Sequence, residues 1–267
     1  MSQFRLENKT VLVTGGAGFL GHTFSLGLAS EGARVIVVDL DLAQAEKTAA
    51  TINESGGTAK AFQCDVSSES DVITMVASVK DEFGRIDVLL NNAASKGTDV
   101  DRFFDRFEDF KLEVWREINS VNIDGMFLVA REVGRIMVEQ GGGSIIQTSS
   151  IYGVVGPDQR IYEGSEYNGR PINTPVVYSM SKAAVIGLTK YLATYWGEQG
   201  IRVNTLTPGG ISSGHDSVFV NKYANRVPMG RMGSSEDLVG AIIFLASNES
   251  SYITGQNIIV DGGLTVW

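Results

Sequence analysis

The 267-residue chain has little cysteine and little histidine: one Cys64, and the two histidines His22 and His215. A single cysteine excludes an intrachain disulfide, and we interpret Cys64 as a small buried hydrophobe at the end of a strand. Zinc sites of the ordinary kinds need several His or Cys ligands at short spacing. We therefore predict no metal site.

The chain also lacks an excess of positive charge and any long apolar run. The formal net charge is −9, with no basic stripe, which argues against nucleic-acid binding. No apolar run reaches about 18 residues, the length typical of a membrane helix, and the first residues lack the apolar centre of a signal peptide. These absences predict a cytoplasmic protein with no membrane partner.

Short apolar runs alternate with amphipathic segments along the whole chain. The runs are continuous, as in RVIVVD at 34–39, and continuous apolar strands are typical of a parallel sheet covered on both faces. Strand–helix alternation predicts a doubly wound α/β fold with about seven parallel strands and helices on both faces. No linker or repeat divides the sequence, so we predict one domain over residues 1–267.

Residues 155–176 interrupt this alternation. They hold three of the five prolines and three glycines, a composition that predicts a loop of unusual length. The stretch carries Arg160, Tyr162 and Arg170, whose side chains suit hydroxyls or an anionic group. We predict an active-site insertion that binds substrate as a lid. The alternatives are an oligomer contact and a solvated surface loop.

The segment TGGAGFLG at 14–21 follows the first predicted strand and begins the first predicted helix. In a doubly wound fold, such a turn holds the pyrophosphate of a dinucleotide, because glycines let the backbone approach the phosphates. The N–H groups at the helix N-terminus then face the negative charge. A glycine cluster can also be only a turn, but this position favours dinucleotide binding at Gly15, Gly18 and Gly21.

Asp39 ends the second predicted strand, 18 residues beyond Gly21. A carboxylate there can bond both ribose hydroxyls of NAD and repel the 2′-phosphate of NADP. The next residue, Leu40, is not basic. We predict NAD as the cofactor; the alternative for Asp39 is the N-cap of the following helix.

The segment YSMSK places Tyr178 and Lys182 one turn apart on one helix face. A free tyrosine has a pKa of about 10 and is a poor base at neutral pH. We expect the neighbouring ammonium to lower the pKa of Tyr178 toward the range useful for acid–base catalysis. Taken alone, such a pair is common on protein surfaces and does not identify a site.

Further motifs accompany that pair: the glycine turn, CDV, NNAA, VNIDGMF, QTSS and RVNTLTPGGI. Together they resemble the short-chain dehydrogenase/reductase family in its short, single-domain branch, over about residues 6–263. The resemblance implies a Rossmann fold and a catalytic tetrad. Tyr178 would exchange the hydroxyl proton and Ser150 would polarise the carbonyl oxygen. Lys182 would lower the tyrosine pKa and bind the nicotinamide ribose, and Asn122 would anchor a water relay to Lys182.

The resemblance also implies contacts along the cofactor. Phe19 and Leu20 would lie with the glycines near the pyrophosphate, Asp65 and Val66 at the adenine, Asn92 at the adenine-side ribose, and Ile211 and Ser213 at the carboxamide. Other roles are open: Ser150 and Asn122 could satisfy backbone groups, and Asn91 and Asn92 could tie neighbouring strands together.

Two features depart from that branch. The glycine pattern is T-G-x-x-G-x-x-G, similar to the extended branch of sugar-nucleotide epimerases and dehydratases, and it puts Phe19 where glycine is usual. Ser150 and Tyr178 are 28 residues apart, more than the branch usually has. The extra residues are those of the insertion, which resembles oxidoreductases of bacterial surface-sugar and flagellin modification.

We therefore predict an NAD-dependent oxidoreductase that interconverts a secondary alcohol and a ketone on a small polar substrate, with a sugar derivative as one candidate. Two alternatives are open: an epimerase or dehydratase that uses NAD transiently, and a non-catalytic NAD-binding regulator. The resemblance further implies a homotetramer. Its contacts would be the predicted helices near 110–139 and 176–198 and the apolar C-terminal segment.

Overall fold

A seven-stranded parallel sheet forms the centre of the computed structural model, which describes residues 5–267. The sheet strands are β1 (Thr10–Thr14), β2 (Arg34–Asp39), β3 (Thr58–Gln63), β4 (Val88–Asn91), β5 (Gly143–Thr148), β8 (Ile201–Pro208) and β9 (Asn257–Val260). Their spatial order is β3-β2-β1-β4-β5-β8-β9. The order changes direction between β1 and β4, and ligands of such folds bind at the carboxyl ends of the strands near that point.

Nine α-helices accompany the strands in the described part of the chain. They are α1 (Phe19–Ser30), α2 (Leu42–Glu54), α3 (Glu69–Phe83), α4 (Val100–Phe103), α5 (Leu112–Asn119), α6 (Met126–Gln140), α7 (Val176–Tyr195), α8 (Ser217–Ala224) and α9 (Val239–Ala246). No helix of residues 5–267 is long and apolar enough to cross a membrane.

The sheet has an apolar core on each face. On one face α3, α6 and α7 pack against the sheet, and on the other face α1, α2 and α9 do so. Side chains of β1 alternate between the two, since Leu12 belongs to the first core while Val11 and Val13 belong to the second. Burial on both faces explains why the inner strands β1, β2 and β4 are continuous apolar runs, whereas the edge strands β3 and β9 are partly exposed. The prediction of a doubly wound fold with about seven strands is confirmed.

The region 109–140 is not the one long helix that the sequence predicts. A π-helical segment, Ser120–Gly125, separates α5 from α6. Its wider turns put Asn122 at a buried position, with 2% of the residue exposed. Such π-helical insertions occur often at functional sites.

The insertion also has more structure than the predicted loop. A short 3-10 turn, Gln159–Tyr162, is followed by an antiparallel hairpin of β6 (Glu166–Tyr167) and β7 (Arg170–Pro171). At the hairpin tip Asn168 and Gly169 both have positive φ, 50° and 74°. An Asn-Gly pair is the preferred centre of such a tight turn, so the sequence contained a hairpin signal that the proline content concealed.

Cys64 follows β3 and is buried, as expected. Burial raises the pKa of its thiol to about 12, and the carboxylates of Asp71 and Asp65 act in the same direction. The thiol therefore stays protonated at neutral pH and behaves as an apolar packing group.

Candidate active site

The glycine turn leaves no room for side chains at two positions. A Cβ on Gly21 would lie 1.9 Å from the carbonyl oxygen of Gly15, so α1 can begin this close to the turn only with glycine there. Gly15 has φ +60°, and a Cβ on it would lie 2.9 Å from Cα of Ala93. The glycines thus bring the start of α1 against the end of β1, the geometry a dinucleotide pyrophosphate needs.

The N-terminus of α1 offers hydrogen-bond donors. Gly18 is the N-cap and, among the described residues, no side chain caps it. The first-turn N–H groups of Phe19 and Leu20 are therefore available to an external anion. Phe19 is 54% exposed, so its ring is not packed into the turn.

Asp39 faces the glycine turn from the end of β2. Its Oδ2 accepts a hydrogen bond from the Ala17 N–H at 3.0 Å. The alternative role as helix N-cap is wrong, because Asp41 caps α2 by accepting from the Gln44 N–H at 3.1 Å. The Asp39 carboxylate is thus held beside the turn, where it would meet a ribose.

Asn91 and Asn92 connect neighbouring strands. Asn91 donates to the carbonyl oxygen of Met126 at 2.8 Å and accepts from the Thr14 hydroxyl at 3.2 Å. The Asn92 amide donates to the carbonyl oxygens of Thr14 and Gly15, at 3.2 and 3.4 Å. Both residues therefore stabilise the base of the glycine turn.

The remaining predicted cofactor residues follow strands at the same carboxyl edge of the sheet. Asp65 follows β3 and accepts from the backbone N–H and the hydroxyl of Ser67, at 2.9 and 2.6 Å. Val66 is buried against Gly125. After β8, Ile211 bridges to Gly233, and Ser213 is exposed.

The structure brings three of the four residues of the predicted tetrad into contact, and the fourth, Asn122, lies in a segment that packs on α7. Ser150 follows β5, Tyr178 and Lys182 lie at the start of α7, and Asn122 lies in the π-helical segment. The Ser149 hydroxyl donates to the Lys182 carbonyl oxygen at 2.7 Å and so ties β5 to α7. A Cβ on Gly153 would lie 2.6 Å from the carbonyl carbon of Lys182, so the backbones meet closely here.

Lys182 and Asn122 are both held by backbone groups. The Lys182 ammonium donates to the carbonyl oxygen of Thr148 at 3.1 Å, and its Nζ lies 6.0 Å from the centre of the Tyr178 ring. Asn122 accepts from the Ser95 N–H at 2.7 Å and donates to the Ser95 carbonyl oxygen at 3.1 Å. Fixed positions of this kind favour precise proton transfer.

The expected lowering of the Tyr178 pKa is wrong for this structure. Burial raises the pKa of Tyr178; hydrogen bonding to Ser150 lowers it, and the Tyr162 phenol raises it. Burial has the opposite effect on the lysine and lowers the pKa of Lys182 to about 8. A buried ammonium is itself disfavoured, and this one donates to Thr148 rather than to the phenol. Tyr178 therefore keeps its proton at neutral pH and can act as a hydrogen-bond donor.

The insertion brings a second phenol toward Tyr178. The Tyr162 hydroxyl shares a hydrogen bond with the Thr174 hydroxyl at 2.5 Å and donates to the Tyr152 hydroxyl at 3.3 Å. The Tyr162 ring stacks on Phe219 of α8, with centroids 5.2 Å apart. Sequence reasoning missed Tyr152 and Thr174, because only the folded insertion reveals that they meet Tyr162.

The two predicted arginines have a different setting. Arg160 forms two hydrogen bonds with Asp158, at 2.8 and 2.9 Å, and its side chain is 83% exposed. Arg170, near the hairpin tip, lies 3.9 Å from Asp105. Each guanidinium is thus matched with a carboxylate of the protein, which favours a role in holding the insertion over direct contact with substrate.

The arrangement suits proton exchange with an alcohol or ketone. A substrate oxygen between Ser150 and Tyr178 would meet two hydroxyl donors. Donors that are already in position stabilise the negative charge that develops on such an oxygen.

Comparisons with known proteins agree with this geometry. The family described as "Enoyl-(Acyl carrier protein) reductase" matches residues 19–265. The D-threitol dehydrogenase of Mycolicibacterium smegmatis is 34% identical, over 98% of this chain and 95% of that protein.

Two solved structures are similar over nearly their full length. A short chain dehydrogenase of Leptospira borgpetersenii with bound NAD+ has a TM-score of 0.85 and 37% identity, covering 98% of this chain and 94% of that one. A gluconate 5-dehydrogenase of Burkholderia cenocepacia, in complex with NADP and tartrate, has a TM-score of 0.86 and 31% identity, covering 99% and 98%.

Proposed function

The chain belongs to the short-chain dehydrogenase/reductase family, and we propose that it interconverts a secondary alcohol and a ketone on a small polar, sugar-derived substrate. The observation that carries the proposal is the convergence of Ser150, Tyr178 and Lys182 at the carboxyl edge of the sheet, the edge that also carries the glycine turn. The similar proteins named after threitol and gluconate act on polyhydroxylated carbon chains, which supports a substrate of that class.

The residues present fit a nicotinamide dinucleotide. The glycine turn has the close backbone approach that a pyrophosphate requires, and the Asp39 carboxylate lies beside it. When bound, the dinucleotide supplies the hydride acceptor or donor. Gly15, Gly18, Phe19, Leu20 and Gly21 would hold the pyrophosphate. At the other sites, we propose Asp65, Val66 and Asn92 for the adenosine half, and Lys182, Ile211 and Ser213 for the nicotinamide half.

The protein residues would handle the proton. Tyr178, protonated at neutral pH, donates its proton to the oxygen of a ketone as negative charge develops there, and regains it from the alcohol in the reverse direction. The Ser150 hydroxyl donates to the same oxygen and orients it. Lys182 and Asn122, fixed on Thr148 and Ser95, would return the proton through water.

The test is a spectrophotometric assay at 340 nm with NAD and a series of four- to six-carbon polyols and aldonates. We expect one NADH for each molecule of ketone formed. Turnover of a nucleotide sugar without net NADH would instead identify an epimerase or dehydratase, and NAD binding without turnover of any compound would identify a regulator.

We propose NAD rather than NADP because Asp39 is anionic where an NADP 2′-phosphate would lie. Asp39→Ala is expected to narrow the preference for NAD by about tenfold or more, through loss of both the ribose hydrogen bonds and the charge repulsion. Titration calorimetry with both cofactors measures this. Asp41→Ala is the matched control. It removes a neighbouring carboxylate that caps α2 and does not face the glycine turn, so the preference for NAD should not change. Tighter binding of NADP than of NAD by the unaltered protein would refute the proposal.

We also propose a homotetramer. Trp267 and Val266 expose 78% and 81% of their surface, and the stacked pair Tyr191 and Tyr195 on α7 exposes 62% of each residue. Large apolar side chains that cluster at a surface are typical of protein contacts. Light scattering at micromolar concentration should give about four chain masses. Trp267→Ser should lower that mass, and a single chain mass for the unaltered protein would contradict the proposal.

A further inference from the structure

Lys96 lies on a fixed piece of backbone beside the tetrad. Its neighbour Ser95 is bonded through both backbone groups to Asn122. On the other side of Lys96, the N–H of Gly97 donates to the Ser95 hydroxyl at 2.9 Å, and the N–H of Thr98 donates to the Glu117 carboxylate at 2.6 Å. The segment after β4 therefore presents Lys96 from a defined position at the carboxyl edge of the sheet.

The Lys96 ammonium lies over a buried ring that also touches the catalytic tyrosine. Its Nζ is 5.9 Å from the centre of Phe103, a residue that is only 4% exposed. Phe103 meets Tyr178 edge to face, with ring centroids 6.4 Å apart. The aromatic face attracts the cation and restricts where it lies.

Lys96 has no ion-pair partner within residues 5–267, since no carboxylate oxygen of that part lies within 4.0 Å of its nitrogen. The acidic residues on the same side have other partners. Asp99 caps α4, and Asp105 lies next to Arg170. The cation is therefore available to a ligand, in a chain whose net charge is −9.

His215 lies in the segment between β8 and α8. Its ring lies 5.0 Å from Phe219, the residue on which Tyr162 stacks. The Ser213 N–H donates to Nδ1 of His215 at 3.3 Å, so Nε2 carries the proton of the neutral ring. Burial and the charge of Lys96 lower the pKa of His215, while Asp216 raises it. The imidazole is neutral at pH 7 and can donate from Nε2.

We propose that Lys96 forms a subsite for an anionic group of the substrate, a carboxylate or a phosphate, that lies apart from the carbon that Tyr178 serves. The inference rests on the proposed function and specifies its substrate class as acidic polyhydroxy compounds. Lys96 would supply the positive charge that this group needs. A cation at the mouth of an otherwise acidic protein also guides such substrates to the site.

Matched compounds test this directly. D-Gluconate and D-glucitol share a six-carbon chain and differ in one terminal carboxylate, and D-glucitol 6-phosphate carries a phosphate instead; four- and five-carbon polyol–aldonate pairs extend the set. We expect kcat/KM to be at least about tenfold higher for an acid than for its neutral partner. The better of the carboxylate and phosphate arms identifies the anionic group.

Three variants distinguish the effect of the Lys96 charge from an effect on folding. Lys96→Gln should remove the preference by raising KM for the acids about tenfold, with kcat for the neutral polyol unchanged. Lys96→Arg should restore most of it. Lys47→Gln, at an exposed lysine of α2, is the control and should change nothing.

The outcomes distinguish this proposal from the proposed function. Neutral polyols turned over as well as or better than the acids, or an acid preference that survives Lys96→Gln, would overturn the subsite and leave the function standing. Absence of NADH formation with every alcohol of the set would overturn both.

Discussion

Tyr178→Phe is expected to lower kcat by about 10²–10⁴, the usual cost of losing a general acid–base group. The phenol is the group that would exchange the proton with substrate, and phenylalanine keeps the ring that packs against Phe103. NAD affinity should stay within a few-fold, because the glycine turn and Asp39 are untouched. Steady-state kinetics with the best alcohol, together with titration calorimetry, measure both quantities.

Tyr191→Phe is the matched control for this experiment. Tyr191 lies on the same helix, α7, and is 62% exposed. Loss of its hydroxyl should leave kcat and KM unchanged. A kcat near that of the unaltered protein in Tyr178→Phe would remove Tyr178 from the mechanism.

Replacing residues 157–173 by a tight turn should lower kcat/KM by about 10² or more, since displaced positioning groups cost rates of that size. The insertion connects two sides of the mouth: Asn173 donates to the Phe104 carbonyl oxygen at 2.7 Å, and Lys222 of α8 donates to the Glu163 carbonyl oxygen at 2.6 Å. Without it the site loses Tyr162 and a barrier to water. Substrate kinetics give the main result, and NAD titration should show unchanged cofactor binding.

Two point variants guard against a folding defect in the shortened protein. Tyr162→Phe removes only the hydroxyl that contacts Thr174 and Tyr152. It should raise KM for the substrate, and the melting temperature of the protein should stay close to that of the unaltered protein. Arg160→Ala should leave kcat/KM within about twofold, because the Arg160 side chain is exposed and paired with Asp158. Its loss should also change the stability of the fold little, since exposed ion pairs contribute little to stability. Full kcat/KM in the shortened protein would show that the insertion takes no part in substrate recognition.

The features that the sequence predicted well depend on local patterns. The inner strands β1, β2 and β4 follow from continuous apolar runs. Helix α1 begins within the glycine turn, as the sequence predicts, and ends just before Gly32. The approach of Asp39 to the glycine turn also follows from the sequence, since β1 and β2 are neighbouring parallel strands.

The features that it predicted poorly depend on burial and on distant contacts. The pKa direction of Tyr178 is set by desolvation, which no helical spacing reveals. Asp39 could be a helix cap by residue type, and only the folded chain shows that Asp41 caps α2 while Asp39 faces the glycine turn. The hairpin in the insertion was readable from Asn168 and Gly169, but the setting of Arg160 required its partner Asp158 to be seen.

Helix α5, the π-helical segment Ser120–Gly125 and helix α6 form one rod. The π-helical segment rotates α6 about the axis of this rod relative to α5. Each residue of an α-helix advances about 100° around the axis, so an extra residue in a wide turn rotates everything after it. Before the segment, Val114 and Ile118 pack on Phe103 and Val177. After it, α6 packs on the sheet core. One continuous rod thus serves two separate cores, and the rotation that permits this also directs Asn122 to Ser95. The outward-facing side chains of α5 and those of α6 therefore form two short rows at different angles around the axis. A protein that bound along the whole rod would have to fit both rows.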